Sequence, residues 1–106
     1  MAVDLGTSRV VLRLLDLSTG GTLGETAFDN PQITAGPDIL ARIHFAEKEN
    51  GLKELNERIV SGLNSAIAHL CESQQLEPEH IYALAVAGNT TMTHLFMGLN
   101  PRWIIR

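Results

Sequence analysis

Two apolar runs stand almost end to end at the start of the chain. They are Ala2-Val3-Asp4-Leu5 and Val10-Val11-Leu12-Arg13-Leu14-Leu15, with only Gly6-Thr7-Ser8-Arg9 between them. Two strands joined this tightly make a hairpin, with its turn at Gly6 to Arg9. The turn carries unusual chemistry for its size. Gly6 lets the backbone approach a ligand closely or take a positive φ. Thr7 and Ser8 offer hydroxyls, and successive amide N–H groups in such a turn can form a nest for an anion. Asp4, at the mouth of the strand, can hold a hydrated magnesium ion beside that anion. The set suits a nucleotide phosphate with its metal. The same residues also suit an ordinary hairpin turn, because Asp, Gly, Thr and Ser are common turn formers.

Composition narrows the field around this hairpin. A chain of 106 residues fits one domain or one piece of a larger one. Its formal charge is −4, with acids and bases mixed along the sequence, and it holds one Tyr and one Trp. With no basic stripe and few aromatics, nucleic acid is not an expected partner. No apolar run reaches membrane-spanning length and no signal peptide is present, so no membrane role is expected either. The lone cysteine, Cys71, excludes an internal disulfide framework and fits a cytoplasmic setting. It falls on or near the apolar face of a predicted helix, where a buried structural thiol is expected. The first strand starts at residue 2 and the last residues, Trp103-Ile104-Ile105-Arg106, are apolar without a closing turn. Both ends read as cut, as in a partial domain excised from a longer protein.

Beyond the turn, residues 9–17 alternate weakly and are largely apolar on both faces, with Arg13 the one charged interruption, as for a strand covered on both sides. Asp16-Leu17-Ser18-Thr19-Gly20-Gly21 is a turn, and Thr22 to Phe28 reads as a third strand, completing an antiparallel meander. Gly36-Pro37-Asp38 reads as a helix start with Pro37 at the first helical position and Ile39, Leu40, Ile43 and Phe45 facing inward. Glu47 to Gly51 is a solvated break. Residues 52–72 carry the clearest helical period, with Leu52, Leu55, Ile59, Leu63, Ala66, Ile67 and Leu70 at spacings of three and four. Gly62 lies within it and weakens it by roughly 1 kcal/mol relative to alanine unless a neighbour packs close. His69 reads as a surface residue. Ile81 to Ala87 is a short apolar run and reads as a buried strand. It leads through Gly88-Asn89-Thr90-Thr91 into a helix carrying Met92, Leu95 and Phe96, closed by Gly98 and Pro101. His44, His80 and His94 show no metal spacing, and Met92 and Met97 read as packing residues.

The resulting order, β-β-β-α-α-β-α, is a mixed α/β layout in which ligands gather at the carboxyl ends of strands. Two strand ends qualify, Asp4 to Ser8 and Gly88 to Thr91. If the first and fourth strands are parallel neighbours, both lie at one edge of the sheet.

The meander with D-x-G-T-S in its first hairpin resembles the first subdomain of the acetate and sugar kinase, heat-shock chaperone and actin superfamily, whose fold is ribonuclease-H-like. Within it, further blocks resemble one branch. They are Asp16 to Gly20, Asn30-Pro31-Gln32, Gly36 to Ile43 and, most specific, Ala87-Gly88-Asn89-Thr90-Thr91-Met92-Thr93-His94-Leu95-Phe96-Met97-Gly98-Leu99-Asn100-Pro101. That branch is the reductive activators of corrinoid proteins. The resemblance implies a parent with an N-terminal plant-type [2Fe-2S] domain, a middle segment and a C-terminal domain of the superfamily. Such a parent uses ATP and magnesium to drive reduction of a corrinoid protein's cobalt from Co(II) to Co(I). By position, Asp4 would organise magnesium through water, and Gly6, Thr7 and Ser8 would hold phosphate. Gly88, Asn89 and Thr90 form a possible second strand-end site, with a structural role in turning strand into helix equally open.

Arg9 departs from the small or hydroxyl residue expected after D-x-G-T-S and reads as solvent-facing. The iron–sulfur cysteines, the second phosphate loop and the adenosine pocket have no counterpart in these residues, so the chain alone is not expected to catalyse, and its uncovered surfaces are expected to self-associate. Two other classes share the superfamily, a small-metabolite kinase and a non-catalytic actin-like assembly module. An upstream ferredoxin-like cysteine cluster would separate the activator from the kinase, and nucleotide-dependent self-association without redox activity would mark the assembly module.

Overall fold

A computed structural model describes residues 1–102. Trp103 to Arg106, the apolar end noted above, lie outside the described residues. A four-stranded sheet in the order β3-β2-β1-β4 is built from β1 (Ala2–Leu5), β2 (Arg9–Leu15), β3 (Thr22–Asp29) and β4 (Ala85–Gly88). β1 and β2 pair antiparallel across the Gly6–Ser8 turn, with Leu5 opposite Val10. β3 continues the meander antiparallel to β2, and β4 joins the other side of β1 in parallel, with Leu5 opposite Gly88. The three helices are α1 (Ile39–Ala46), α2 (Gly51–Ser73) and α3 (Thr90–Met97). The fold is thus mixed α/β, with the meander, the helices and the further parallel strand in the expected order.

Alternation along the strands decides where the core sits. Val3, Leu5, Val10, Leu12 and Leu14 point to one face and are buried. Leu55, Ile59, Leu63 and Leu70 of α2 and Met92 and Leu95 of α3 belong to the same apolar cluster. The periodicity over 52–72 therefore located α2 to within a residue at each end. Gly62 has the neighbour its position needed, because a Cβ there would stand 2.8 Å from Phe28 Cε2. Cys71 is buried, and burial is the main cause that raises its thiol pKa.

Five expectations are corrected. The other face of β2 is not covered, since Arg9 and Arg13 on it are exposed and only Val10, Leu12 and Leu14 are buried. The run Ile81 to Ala87 is not a buried strand. Pairing with β1 covers only Ala85–Gly88, a short 3-10 turn occupies Pro78–His80, and β4 is an edge strand with exposed residues. The start of α1 is set by Asp38, not Pro37. Asp38 is the N-cap and its carboxylate accepts the Ala41 amide at 2.7 Å, leaving Pro37 before the cap. Of the apolar side chains expected inward on α1, only Ile43 is fully buried. Leu40 is 51% exposed, and the stripe is completed by Arg42 and Ala46. Met97, read as a packing residue, is also 63% exposed, whereas Met92 is buried.

Candidate functional site

The two strand ends picked out in the sequence meet at one edge of the sheet. Because β1 and β4 are parallel neighbours, Leu5 and Gly88 finish side by side, and the hairpin turn faces the start of α3. A direct hydrogen bond joins them, with Asn89 Nδ2 donating to Thr7 Oγ1 at 3.3 Å. Asn89 is also the N-cap of α3. Its Oδ1 accepts the Met92 amide at 2.9 Å, and its carbonyl accepts Thr93 Oγ1 at 3.0 Å. Gly88 ends β4 and Thr90 opens α3, so this trio does turn strand into helix, with Asn89 serving both strand ends.

The turn itself is oriented from beneath. The Gly6 carbonyl accepts Asn30 Nδ2 at 3.0 Å, the Thr7 carbonyl accepts Arg42 Nη2 at 2.5 Å, and the Ser8 carbonyl accepts the Asn30 amide at 2.9 Å. Each carbonyl shares a planar trans peptide with the following N–H, which points the opposite way. Holding the Gly6 and Thr7 carbonyls inward therefore turns the Thr7 and Ser8 amides outward. Neither amide has an acceptor among the described residues. Thr7 Oγ1 accepts from Asn89, which leaves its proton available to a ligand. Gly6 is required by the tightness of the turn, because a Cβ there would overlap the Arg9 carbonyl oxygen.

Asp4 lies on the sheet face opposite the core, in register with Val11 and Ala87. It is exposed, and no hydrogen bond within the described residues holds its carboxylate. Nearby Arg13 is engaged elsewhere. Its Nε bonds Glu25 Oε2 at 2.7 Å, and that hydrogen bond is the main cause that raises the guanidinium pKa, with Asp4 a smaller contributor. Arg9 opens β2 rather than belonging to the turn, and its side chain faces solvent, as expected, where it pairs with the exposed Asp29 at 3.8 Å. An acid free to take a hydrated cation, two outward amides and two hydroxyls thus fit a phosphate with magnesium.

Three residues that support the turn were not singled out as site residues from the sequence. Asn30, Gln32 and Arg42 are 1%, 0% and 0% exposed. Gln32 accepts nothing from solvent. Its Nε2 donates to the Leu55 carbonyl at 2.9 Å, and its amide donates to Asn30 Oδ1 at 2.9 Å. Arg42 Nε donates to the Gly36 carbonyl at 2.7 Å, and its Nη1 approaches Gln32 Oε1 at 3.4 Å and Met92 Sδ at 3.3 Å. Burial lowers the Arg42 pKa, and the charge of Asp38 opposes that effect. The available signal was a guanidinium placed on the apolar stripe of α1, between Ile39 and Ala46.

Elsewhere, a cleft of about 390 Å³ lies at the far end of the sheet, among Leu14, Leu17, Leu23, Leu76, Ile81 and Tyr82. It does not touch the turn. No group of three or more His, Cys, Asp or Glu side chains able to hold a metal occurs among the described residues, and no described helix is long and apolar enough to cross a membrane.

A mixed α/β unit with a carbonyl-anchored turn at the edge of its sheet is the class these features define. Residues 1–106 match the RACo middle region, and the chain belongs to that family. It is 36% identical over 103 residues to the corrinoid activation enzyme RamQ of Eubacterium limosum, covering 96% of this chain and 17% of that protein. A solved structure of a reductive activator for corrinoid, iron-sulfur protein superposes with a TM-score of 0.93 at 41% identity, covering 96% of this chain and 16% of the other. The chain thus spans less than a fifth of the length of either relative.

Proposed function

We propose that this chain is a phosphate-binding segment of a longer, ATP-dependent reductive activator of corrinoid proteins. The observation that carries the site is the turn from Gly6 to Ser8, whose carbonyls are held inward so that the Thr7 and Ser8 amides face out. Similarity to a corrinoid activation enzyme and to a reductive activator supports the wider role. In this reading the segment belongs to the ribonuclease-H-like, actin-like superfamily and forms the N-terminal part of its ATPase domain. The turn amides and the Thr7 and Ser8 hydroxyls hold nucleotide phosphate oxygens, and Asp4 orients the waters of a magnesium ion. Magnesium, when bound, neutralises phosphate charge. The [2Fe-2S] centre lies outside this chain, whose one cysteine is buried. The partner is a corrinoid protein whose cobalt accepts one electron, and nucleotide-linked domain motion couples the two events.

Titration calorimetry on the full-length protein tests the site. Asp4→Ala is expected to weaken magnesium–nucleotide binding about tenfold, equivalent to roughly 1.4 kcal/mol. The far-UV spectrum is expected to stay unchanged, because Asp4 is exposed and stands on the sheet face opposite the core. Unchanged affinity would remove Asp4 from the site.

A further inference from the structure

Arg42 is the residue the hairpin reading leaves unexplained. Its guanidinium is wholly inaccessible to solvent, yet every hydrogen-bond partner it has is neutral. The ion pairs of Arg9, Arg13, Lys53 and Arg58 do not involve Arg42. Asp38 is the acid whose charge it feels, but that carboxylate is exposed and committed to the cap of α1. Burying a guanidinium without a counter-charge is costly, and a leucine or methionine would fill the same space more cheaply. Something must favour the charge there.

Its position suggests what. The Nη2 donates to the Thr7 carbonyl, the same peptide unit whose other end is the outward Ser8 amide. A cation on the oxygen side of a peptide polarises that peptide and makes its N–H a stronger donor. The remaining nitrogens fasten the guanidinium to Gly36 before α1, to Gln32 in the loop after β3 and to Met92 in α3. The charge is thus fixed beneath the turn and cannot swing out to be solvated.

We propose that Arg42 is the positioning residue of the anion site. It aims the Thr7–Ser8 peptide, and its positive charge, which no carboxylate contacts directly, is balanced by the phosphate that binds above it. This deepens the phosphate-binding reading and rests on it. Arg42 is not itself a ligand, because the Thr7 peptide lies between. It follows that phosphate-bearing ligands should feel Arg42 in proportion to their charge, and a ligand lacking phosphate should not feel it.

The test uses the full-length protein with magnesium pyrophosphate, ADP and adenosine as calorimetric probes. Arg42→Met is expected to weaken pyrophosphate and ADP binding at least about tenfold while leaving adenosine affinity unchanged. Arg42→Lys, which keeps the charge but loses the fork, is expected to fall between. A general loss of structure would lower adenosine binding as well, so this pattern separates positioning from folding. If Arg42→Met does not fold, the wild-type protein decides by NMR, where the Arg42 Nε–Hε resonance is expected to move as pyrophosphate is added. Wild-type binding with equal affinity in Arg42→Met, or an Arg42 resonance that stays still at saturation, overturns the proposal and leaves the turn as a phosphate site. Absence of pyrophosphate and ADP binding to the wild type overturns the phosphate reading itself.

Discussion

Single residues in this chain do work that their type alone does not reveal. Gly62 illustrates the point. In an isolated helix, Gly62→Ala would stabilise by roughly 1 kcal/mol through propensity. Here the new methyl would press on the edge of the Phe28 ring, with Cε2 at 2.8 Å, Cζ at 3.3 Å and Pro31 Cγ at 3.5 Å. Overpacking of this kind costs about 1–3 kcal/mol. The substitution is therefore expected to destabilise by about 1 kcal/mol net, measured by urea unfolding, and a gain in stability would show that Phe28 yields freely. Arg42 makes the complementary point. On α1 it takes a place on the buried stripe beside Ile43 and Ala46, and the apolar period there predicts a hydrophobe. Its burial becomes intelligible only through four contacts made to other segments.

At the scale of elements, the hairpin and α3 form one unit across the sheet edge. α3 is short, from Thr90 to Met97, and depends on its ends. Asn89 caps its start, and Gly98, with φ of 73°, closes it in the left-handed conformation that glycine tolerates. Asn89→Ala is expected to lower stability by about 1 kcal/mol through the lost cap. It also removes the bond to Thr7, so the full-length protein is expected to lose phosphate affinity as well. Asn89→Asp retains a cap acceptor but loses the donor to Thr7. It should therefore keep most of the stability and still bind phosphate less well. Thermal unfolding and calorimetry on the two variants read these effects separately. Wild-type phosphate affinity in both variants would mean that the Asn89–Thr7 bond does not help shape the turn.

Across the whole molecule, the sheet has one covered and one open face. The helices pack over Val3, Leu5, Val10, Leu12 and Leu14, while Asp4, Arg9 and Arg13 stand on the uncovered side. Asp4 is thereby held at the same edge as the turn but apart from the core, so the site can be altered without disturbing the fold. The wider proposal also belongs to this scale. Full-length protein purified without oxygen is expected to carry two irons per chain with a ferredoxin-like visible spectrum, measured by metal analysis and absorbance. Well-folded protein without iron would refute the activator and favour a kinase of the same superfamily.

The sequence by itself determined what depends on neighbours along the chain. The first hairpin follows from two apolar runs four residues apart, and α2 follows from a long repeat at spacings of three and four. The D-x-G-T-S turn was legible for the same reason, since its chemistry is contiguous. β4 was misread because an apolar run states only that residues avoid water. How far Ile81 to Ala87 could act as a strand was decided by its partner, and β1 pairs with it only from Ala85 onward. Tertiary structure alone decided how the turn is aimed. Asn30 reaches Gly6 across 24 positions, Arg42 reaches Thr7 across 35 and Asn89 reaches Thr7 across 82. Such bonds leave no periodic trace, because a buried polar group is satisfied by whatever the fold brings beside it. The chemistry of the candidate site was written locally, and its orientation was settled by residues that only folding brings together.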